Sequence, residues 1–144
     1  MYAFFIILCY SVIVEGEKFM IESIAQKGEQ VKGFYSPAKK IDLGNCYLIF
    51  VSGIQASDTS ADISGQTHEV FNVIGSILEN AGATFDDVVK AVIYVTDMKD
   101  FDVVSKIRQG YFSSSKPAST LVEVNRMVND GAKIEIELTA ILKK

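Results

Sequence analysis

The sequence predicts an α+β domain in which two helices pack on one face of a mixed β-sheet. Two stretches, residues 62–81 and 99–112, place apolar side chains at helical spacing. The stretches around them show the apolar runs or the alternation of strands, and 144 residues suit one domain. Because two helices cover only one face of such a sheet, we expect another sheet to cover the second face in an oligomer.

The amino-terminal segment, residues 1–14, is apolar and uncharged. As a helix it would span about 21 Å, less than the ~30 Å hydrocarbon core of a membrane. No Lys or Arg precedes it, as a secretory signal would require. Because its Ile, Val, Phe and Tyr residues favour strands, we predict an extra strand in an extension over residues 1–19, before a domain over residues 20–144. We therefore expect a cytoplasmic protein with no membrane partner. The alternative is that residues 1–14 direct the protein to an organelle or to secretion.

The next part of the chain is predicted to form a strand and a long helix. Residues 41–45 have the composition of a turn, and residues 46–52 form a near-continuous apolar strand. Gly53 follows that strand directly and allows close approach of the backbone to a ligand. The helix over residues 62–81 ends at Gly82. Its apolar stripe consists of Ile63, Val70, Phe71, Ile74, Ile77, Leu78 and Ala81.

The second half is predicted to form a strand, a helix and two closing strands. Residues 86–97 form the strand, and the second helix covers residues 99–112. The inward face of that strand carries Val89, Ala91, Ile93 and Val95. Residues 120–126 and 133–142 form the closing strands, and the Asn-Asp-Gly sequence at residues 129–131 predicts a hairpin turn between them.

The composition argues against several classes of function. The 14 Lys and Arg residues against 18 Asp and Glu give a net charge of −4, so no nucleic-acid partner is expected. The two cysteines, Cys9 and Cys46, form neither a disulfide framework nor a zinc motif, and no metal or other cofactor is expected. The single histidine, His68, lies among polar residues of the first helix, and we interpret it as a surface residue.

An ordered set of short motifs over roughly residues 36–142 resembles one known family. The motifs are Ile41-Asp42-Leu43-Gly44-Asn45, Val51-Ser52-Gly53, Leu78-Glu79-Asn80-Ala81-Gly82, Tyr94-Val95-Thr96-Asp97, Lys116-Pro117-Ala118, Val122-Glu123-Val124 and Lys133-Ile134-Glu135-Ile136-Glu137. The chain is similar to the YjgF/RidA group, also labelled L-PSP endoribonucleases. The resemblance implies a chorismate-mutase-like fold and a homotrimer with a small-molecule ligand in a cleft at each subunit interface. It also implies hydrolysis of reactive enamines and imines to 2-oxo acids and ammonia.

The same resemblance implies a set of site residues. Glu135 matches the glutamate that holds the hydrolytic water, although it also fits an exposed strand carboxylate that alternates with core residues. The substrate-binding positions are Ser52, Gly53, Ser105, Ser119, Thr120 and Leu121. Ser105 stands where the family often has Asn, and Leu121 stands where it usually has Cys. Ser119 stands where the family has the Arg that binds the substrate carboxylate.

Ser119 determines which functions the sequence leaves open. Its hydroxyl carries no charge, and losing a charge-assisted bidentate contact typically costs about 2–5 kcal/mol. Arg126 lies about 23 Å further along an extended strand, and Arg108 is interpreted as a solvated or snorkelling helix residue. The enamine and imine deaminase prediction therefore has a first alternative, a non-catalytic metabolite-binding trimer. A second alternative is the endoribonuclease of the family label, to which the acidic composition and the lone His68 are poorly suited.

Overall fold

One mixed sheet of seven strands organises the protein in the computed structural model, which describes residues 9–14 and 17–144. The strands are β1 (Cys9–Val14), β2 (Glu17–Ile24), β3 (Ala38–Asp42), β4 (Cys46–Gln55), β5 (Val88–Val95), β6 (Ala118–Glu123) and β7 (Ile134–Lys143). Helix α1 spans Ile63–Ala81, and helix α2 spans Phe101–Phe112. The strand order is β1-β2-β3-β4-β7-β5-β6, in which only the β5–β6 pair is parallel. The predicted α+β class with two helices is confirmed.

Local sequence signals fix both ends of α1. The Asp62 side chain accepts a hydrogen bond from the Gly65 N–H and caps the first turn. Gly82 adopts the left-handed conformation, with φ of 82°, and its N–H bonds to carbonyls of the last turn. The helix therefore begins and ends where the sequence predicts.

The core lies between the sheet and the two helices. In β7 the residues Ile134, Ile136, Leu138 and Ala140 are buried and alternate with half-buried polar residues, as predicted. Phe71 of α1 stacks on Tyr111 of α2 with ring centroids 4.2 Å apart and planes within 6°. This aromatic contact fixes α2 against α1.

The face of the sheet that the helices leave open is partly apolar. By strand alternation it carries Phe50 of β4, Val122 of β6 and Ile141 of β7, and these side chains are between 39% and 46% exposed. Tyr94 of β5 lies on the same face and donates a hydrogen bond to Glu137 of β7 at 3.4 Å. A second layer would bury this surface, as the layer argument from the sequence requires.

The predicted hairpin between the two closing strands and the predicted inward position of Val89 are wrong. Strands β6 and β7 do not form a hairpin, because β5 lies between them and pairs with both. Residues 129–131 instead belong to the longer connection between β6 and β7. Val89 is 42% exposed and Val88 is buried in its place, because a register shift between Val88 and Lys90 exchanges the two faces at the start of β5.

The predicted amino-terminal extension overlaps the first two strands. Residues Cys9–Val14 form β1, an edge strand that pairs antiparallel with β2, and residues 1–8 lie outside the described residues. The boundary predicted between residues 19 and 20 falls inside β2, and the division of the chain at that point stays a prediction. In the described part of the chain, no helix combines the length and the apolar character needed to span a membrane.

Candidate functional site

The first group of predicted site residues meets where β4 and β7 pair at an irregular point. The pairing register shifts between Val51 and Ile54, and beyond the shift Gln55 pairs with Glu135. The sequence predicts that the strand ends at Ser52, but β4 continues to Gln55. Gly53 therefore lies within the strand, at the irregularity itself.

Ser52 forms two hydrogen bonds to the segment that precedes β3. Its hydroxyl donates a hydrogen bond to the Ser36 carbonyl at 2.8 Å, and its N–H donates to the Pro37 carbonyl at 2.9 Å. Both polar groups thus bind the backbone that leads into β3. Ser52 positions the 36–37 segment beside Gly53.

The carboxylate of Glu135 lies directly over Gly53. A Cβ atom built on Gly53 would be 1.9 Å from Glu135 Oε1, so only glycine leaves room for the carboxylate there. The other oxygen, Oε2, accepts a hydrogen bond from the Gln55 side-chain amide. Gln55 Oε1 in turn accepts a hydrogen bond from the Asn129 N–H at 3.0 Å, which fixes the orientation of the amide. Gln55 therefore fixes Oε2 of Glu135, whereas Oε1 receives no hydrogen bond from the described residues.

Glu135 opens onto a cavity of about 480 Å³, and its lining is acidic. The cavity is lined by Gln26, Tyr35, Pro37, Gly53, Ile54, Gln55, Ser57, Glu69, Val73, Ile77, Val128, Asn129 and Glu135. Among these described residues there are two carboxylates and no Lys, Arg or His. Hydrogen bonds from the Ser57 hydroxyl and then from the Ser57 and Asp58 N–H groups lower the pKa of Glu69 below its ordinary value. We define this region as the acidic cleft.

The second group of predicted site residues lies where α2 packs beside β6. Arg108 is half-buried, and its Nη1 donates a hydrogen bond to Ser119 Oγ at 3.2 Å. A half-buried stem with an exposed guanidinium agrees with a snorkelling helix residue, and the guanidinium additionally contacts the strand at Ser119. Ser105 lies one helical turn before Arg108, and its Oγ is buried with no hydrogen-bond partner in the described chain.

The three consecutive strand residues predicted as one binding set divide between the two faces of the sheet. Ser119 and Leu121 pair with Ala91 and Ile93, both buried under the helices. Thr120 lies on the opposite face, where its hydroxyl accepts a hydrogen bond from Lys90 at 2.9 Å. Thr120 is thus separated from Ser119 and Leu121.

The two groups of site residues are far apart within one chain. Glu135 pairs with Tyr94, Tyr94 pairs with Val122, and Ser119 lies three residues before Val122. Two strand spacings and three residue rises put the Cα atoms of Glu135 and Ser119 roughly 14 Å apart. Alternation also places Glu135 on the open face and Ser119 on the helix face. One small ligand cannot contact both residues of the same chain.

Sequence reasoning missed two residues of these groups. Gln55 stands two positions after Gly53, a spacing that predicts a shared side of the strand, and this signal could have indicated it. Glu69 follows His68 on α1, and no spacing rule relates it to β4. The described residues contain no group of three or more His, Cys, Asp or Glu side chains that could hold a metal ion.

Known proteins match most of the length of the chain. The model of the family described as Endoribonuclease L-PSP matches residues 29–142 of the chain. The chain belongs to this family. Among its relatives, a RutC family protein of Pyrococcus abyssi is 39% identical over 125 residues, which cover 83% of this chain and 93% of that protein. The 2-iminobutanoate/2-iminopropanoate deaminase of Escherichia coli is 33% identical over 109 residues, which cover 70% of this chain and 83% of that enzyme.

Solved structures of the YjgF/RidA family share the fold. A member of the YjgF/YER057c/UK114 family from Mycobacterium tuberculosis matches with a TM-score of 0.67 and 31% identity, over 82% of this chain and 97% of that one. The predicted resemblance is therefore confirmed at the level of family and fold. The individual site residues stay predictions.

Proposed function

We propose that the protein hydrolyses short-chain 2-imino acids and their enamine tautomers, of the 2-iminobutanoate and 2-iminopropanoate type, to 2-oxo acids and ammonia. The E. coli relative that carries this activity in its name supports the proposal. The observation that carries it is the position of the Glu135 carboxylate in the acidic cleft. Gln55 donates a hydrogen bond to one carboxylate oxygen, and the other oxygen lies over Gly53.

Glu135 acts on the attacking water. Its Oε1 accepts a hydrogen bond from a water molecule in the cleft and takes a proton as the water oxygen bonds to the imine carbon. The Glu135 carboxyl then gives this proton to the nitrogen of the resulting carbinolamine. As the carbon–nitrogen bond breaks and ammonia leaves, the hydroxyl proton returns to Glu135, which loses it to solvent, and the hydroxyl oxygen becomes the carbonyl of the 2-oxo acid. General base and acid catalysis of this kind contributes roughly 10²–10⁴-fold in rate.

The active unit is a homotrimer with one cleft at each subunit interface. Three features support association through the open face: its exposed Phe50, Val122 and Ile141, the absence of a covering helix on it in the described chain, and the family membership. The roughly 14 Å between the Cα atoms of Glu135 and Ser119 also needs a second copy, so that the acidic cleft of one chain meets the β6 edge of its neighbour. Light scattering should give a mass three times that of one chain.

A direct assay tests the activity. The purified protein is mixed with 2-iminobutanoate or 2-aminoacrylate generated in situ, and 2-oxo acid and ammonia are both followed. We expect both products to appear together and faster than in buffer. A folded trimer with no rate above buffer would overturn the proposal, and selective ligand binding without turnover would favour the metabolite-binding alternative. Cleavage of RNA without imine hydrolysis would favour the endoribonuclease alternative.

A further inference from the structure

The Arg108 guanidinium is positioned for a ligand that the described chain does not supply. It donates one hydrogen bond, to Ser119 Oγ, and its Cζ lies 5.9 Å from the centroid of the Phe101 ring. A guanidinium has five N–H donors in a planar arrangement. Within the described residues, Arg108 forms no ion pair with any carboxylate. Most of its donors therefore face solvent or a bound anion.

A separate small cavity surrounds this guanidinium, and its charge is opposite to that of the acidic cleft. It has a volume of about 310 Å³. It is lined by Arg108, Gln109, Phe112, Ser113, Lys116, Pro117 and Ser119. This basic cavity thus has two cations, two hydroxyls and no carboxylate in its described lining. Lys116 adopts a left-handed backbone with φ of 43°, the one positive φ of a non-glycine residue in the described chain.

The basic cavity lies at an edge where a neighbouring chain can reach it. Strand β6 is the last strand of the sheet order in the described chain and pairs on one side with β5. Ser119 is itself exposed on this edge. In a trimer that brings a neighbour's acidic cleft to β6, a ligand bound between the two chains would face protein carboxylates at one end and protein cations at the other. A protonated 2-imino acid, with its cationic nitrogen beside its anionic carboxylate, matches that distribution.

We propose that Arg108 binds the carboxylate of the substrate and supplies, from helix α2, the positive charge that strand β6 lacks at Ser119. The inference rests on the proposed function, because it assigns the substrate end that Glu135 does not contact. Ser119 is a positioning residue whose hydroxyl holds one arm of the guanidinium. The remaining N–H groups bind the carboxylate through two parallel hydrogen bonds.

Calorimetric binding of 2-oxobutanoate, the carboxylate product, tests the assignment without requiring turnover. Arg108→Ala should weaken binding about 30-fold or more, since a charge-assisted bidentate contact is lost. Arg126→Ala removes the other arginine of the chain and is the matched control, expected to bind within about twofold of the wild type. Equal affinity of Arg108→Ala and the wild type for 2-oxobutanoate would overturn the assignment.

Two further variants keep the test decisive. Arg108→Lys retains the charge but not the planar pair of donors, so it should bind several-fold more weakly than the wild type even if Arg108→Ala does not fold. The double variant Arg108→Ala/Ser119→Arg returns a guanidinium to the cavity from the strand and should recover binding. Full affinity of Arg108→Lys, or failure of the folded double variant to recover binding, would contradict a bidentate carboxylate site.

These results separate the inference from the activity on which it rests. Arg108-dependent binding of 2-oxobutanoate without imine hydrolysis would overturn the proposed function and leave the carboxylate site standing. An unchanged kcat/KM for imine hydrolysis in Arg108→Ala would overturn the carboxylate site and leave the proposed function standing.

Discussion

Gly53→Ala tests whether the position of the Glu135 carboxylate is the basis of catalysis. The new Cβ would lie 1.9 Å from Glu135 Oε1 and 2.7 Å from its Cδ, whereas ordinary contact begins at 3.4 Å. The carboxylate must therefore move by about 1.5 Å, and a misplacement of about 1 Å costs roughly 100-fold in rate. We expect kcat/KM for 2-iminobutanoate to fall about 100-fold.

The fold should tolerate this substitution. Gly53 does not have a positive φ, so its backbone accepts alanine. Replacing glycine with alanine gains about 0.4–1 kcal/mol by restricting the unfolded chain, and losing the Gln55–Glu135 hydrogen bond costs about 1 kcal/mol. These two effects nearly cancel. Thermal unfolding and circular dichroism should therefore match the wild type closely while steady-state kinetics do not.

Gly110→Ala is the matched control for the same chemical change. Gly110 lies inside α2, and a Cβ there would meet nothing within 4 Å. The control should be slightly more stable than the wild type, by about 1 kcal/mol, with unchanged activity. Wild-type kcat/KM in a folded Gly53→Ala protein would refute the role of the carboxylate position, and equal loss in both variants would show that the effect is not local.

Three further variants test other parts of the account. Glu135→Gln removes the proposed general base but keeps the shape of the side chain. We expect kcat to fall roughly 10²–10⁴-fold with little change in the affinity for 2-oxobutanoate. An equal loss of 2-oxobutanoate binding would contradict a catalytic role of Glu135. Gln66 is fully buried, and its amide bonds to three backbone carbonyls and to the Lys133 N–H. Gln66→Leu should lower the free energy of unfolding by about 2–4 kcal/mol in urea titrations, and a change under 1 kcal/mol would show that the loops do not depend on it. The pKa of Glu69 is lowered from its ordinary 4.5, so its contribution to stability is present above pH 4.5 and is lost as the pH falls through the lower folded-state value. Glu69→Gln should therefore be less stable than the wild type at pH 7, by an amount that shrinks at pH 3, and a pH-independent difference would contradict this origin.

The elements predicted well from the sequence depend on short-range signals. Asp62 and Gly82 act on the backbone of their own helix, and the alternation of β7 reports its two faces directly. The hairpin prediction failed because the turn signal at residues 129–131 describes a local conformation and not which strand lies beside β7. Strand order is set by contacts between distant segments. The family resemblance supplied the fold that periodicity left open.

The site was predictable only in part, for the same reason. Gly53 was indicated as a position of close approach, but the group that approaches it is Glu135, which lies 82 residues later in the chain. The Arg108–Ser119 contact joins a helix to a strand across 11 residues, and no periodicity relates the two positions. Sequence reasoning could show that Ser119 lacks a charge. The packing of α2 beside β6 brings the Arg108 guanidinium to Ser119, which the sequence could not show.

The most direct test of the account combines Glu135→Gln and Arg108→Ala chains in one trimer. Each parent trimer lacks one half of every interface site and should be nearly inactive toward 2-iminobutanoate. In a mixed trimer isolated through two different tags, one of three interfaces joins an intact Glu135 to an intact Arg108 of the neighbouring chain, so about a third of wild-type activity should return. Mixed trimers no more active than their parents would contradict a site completed by two chains.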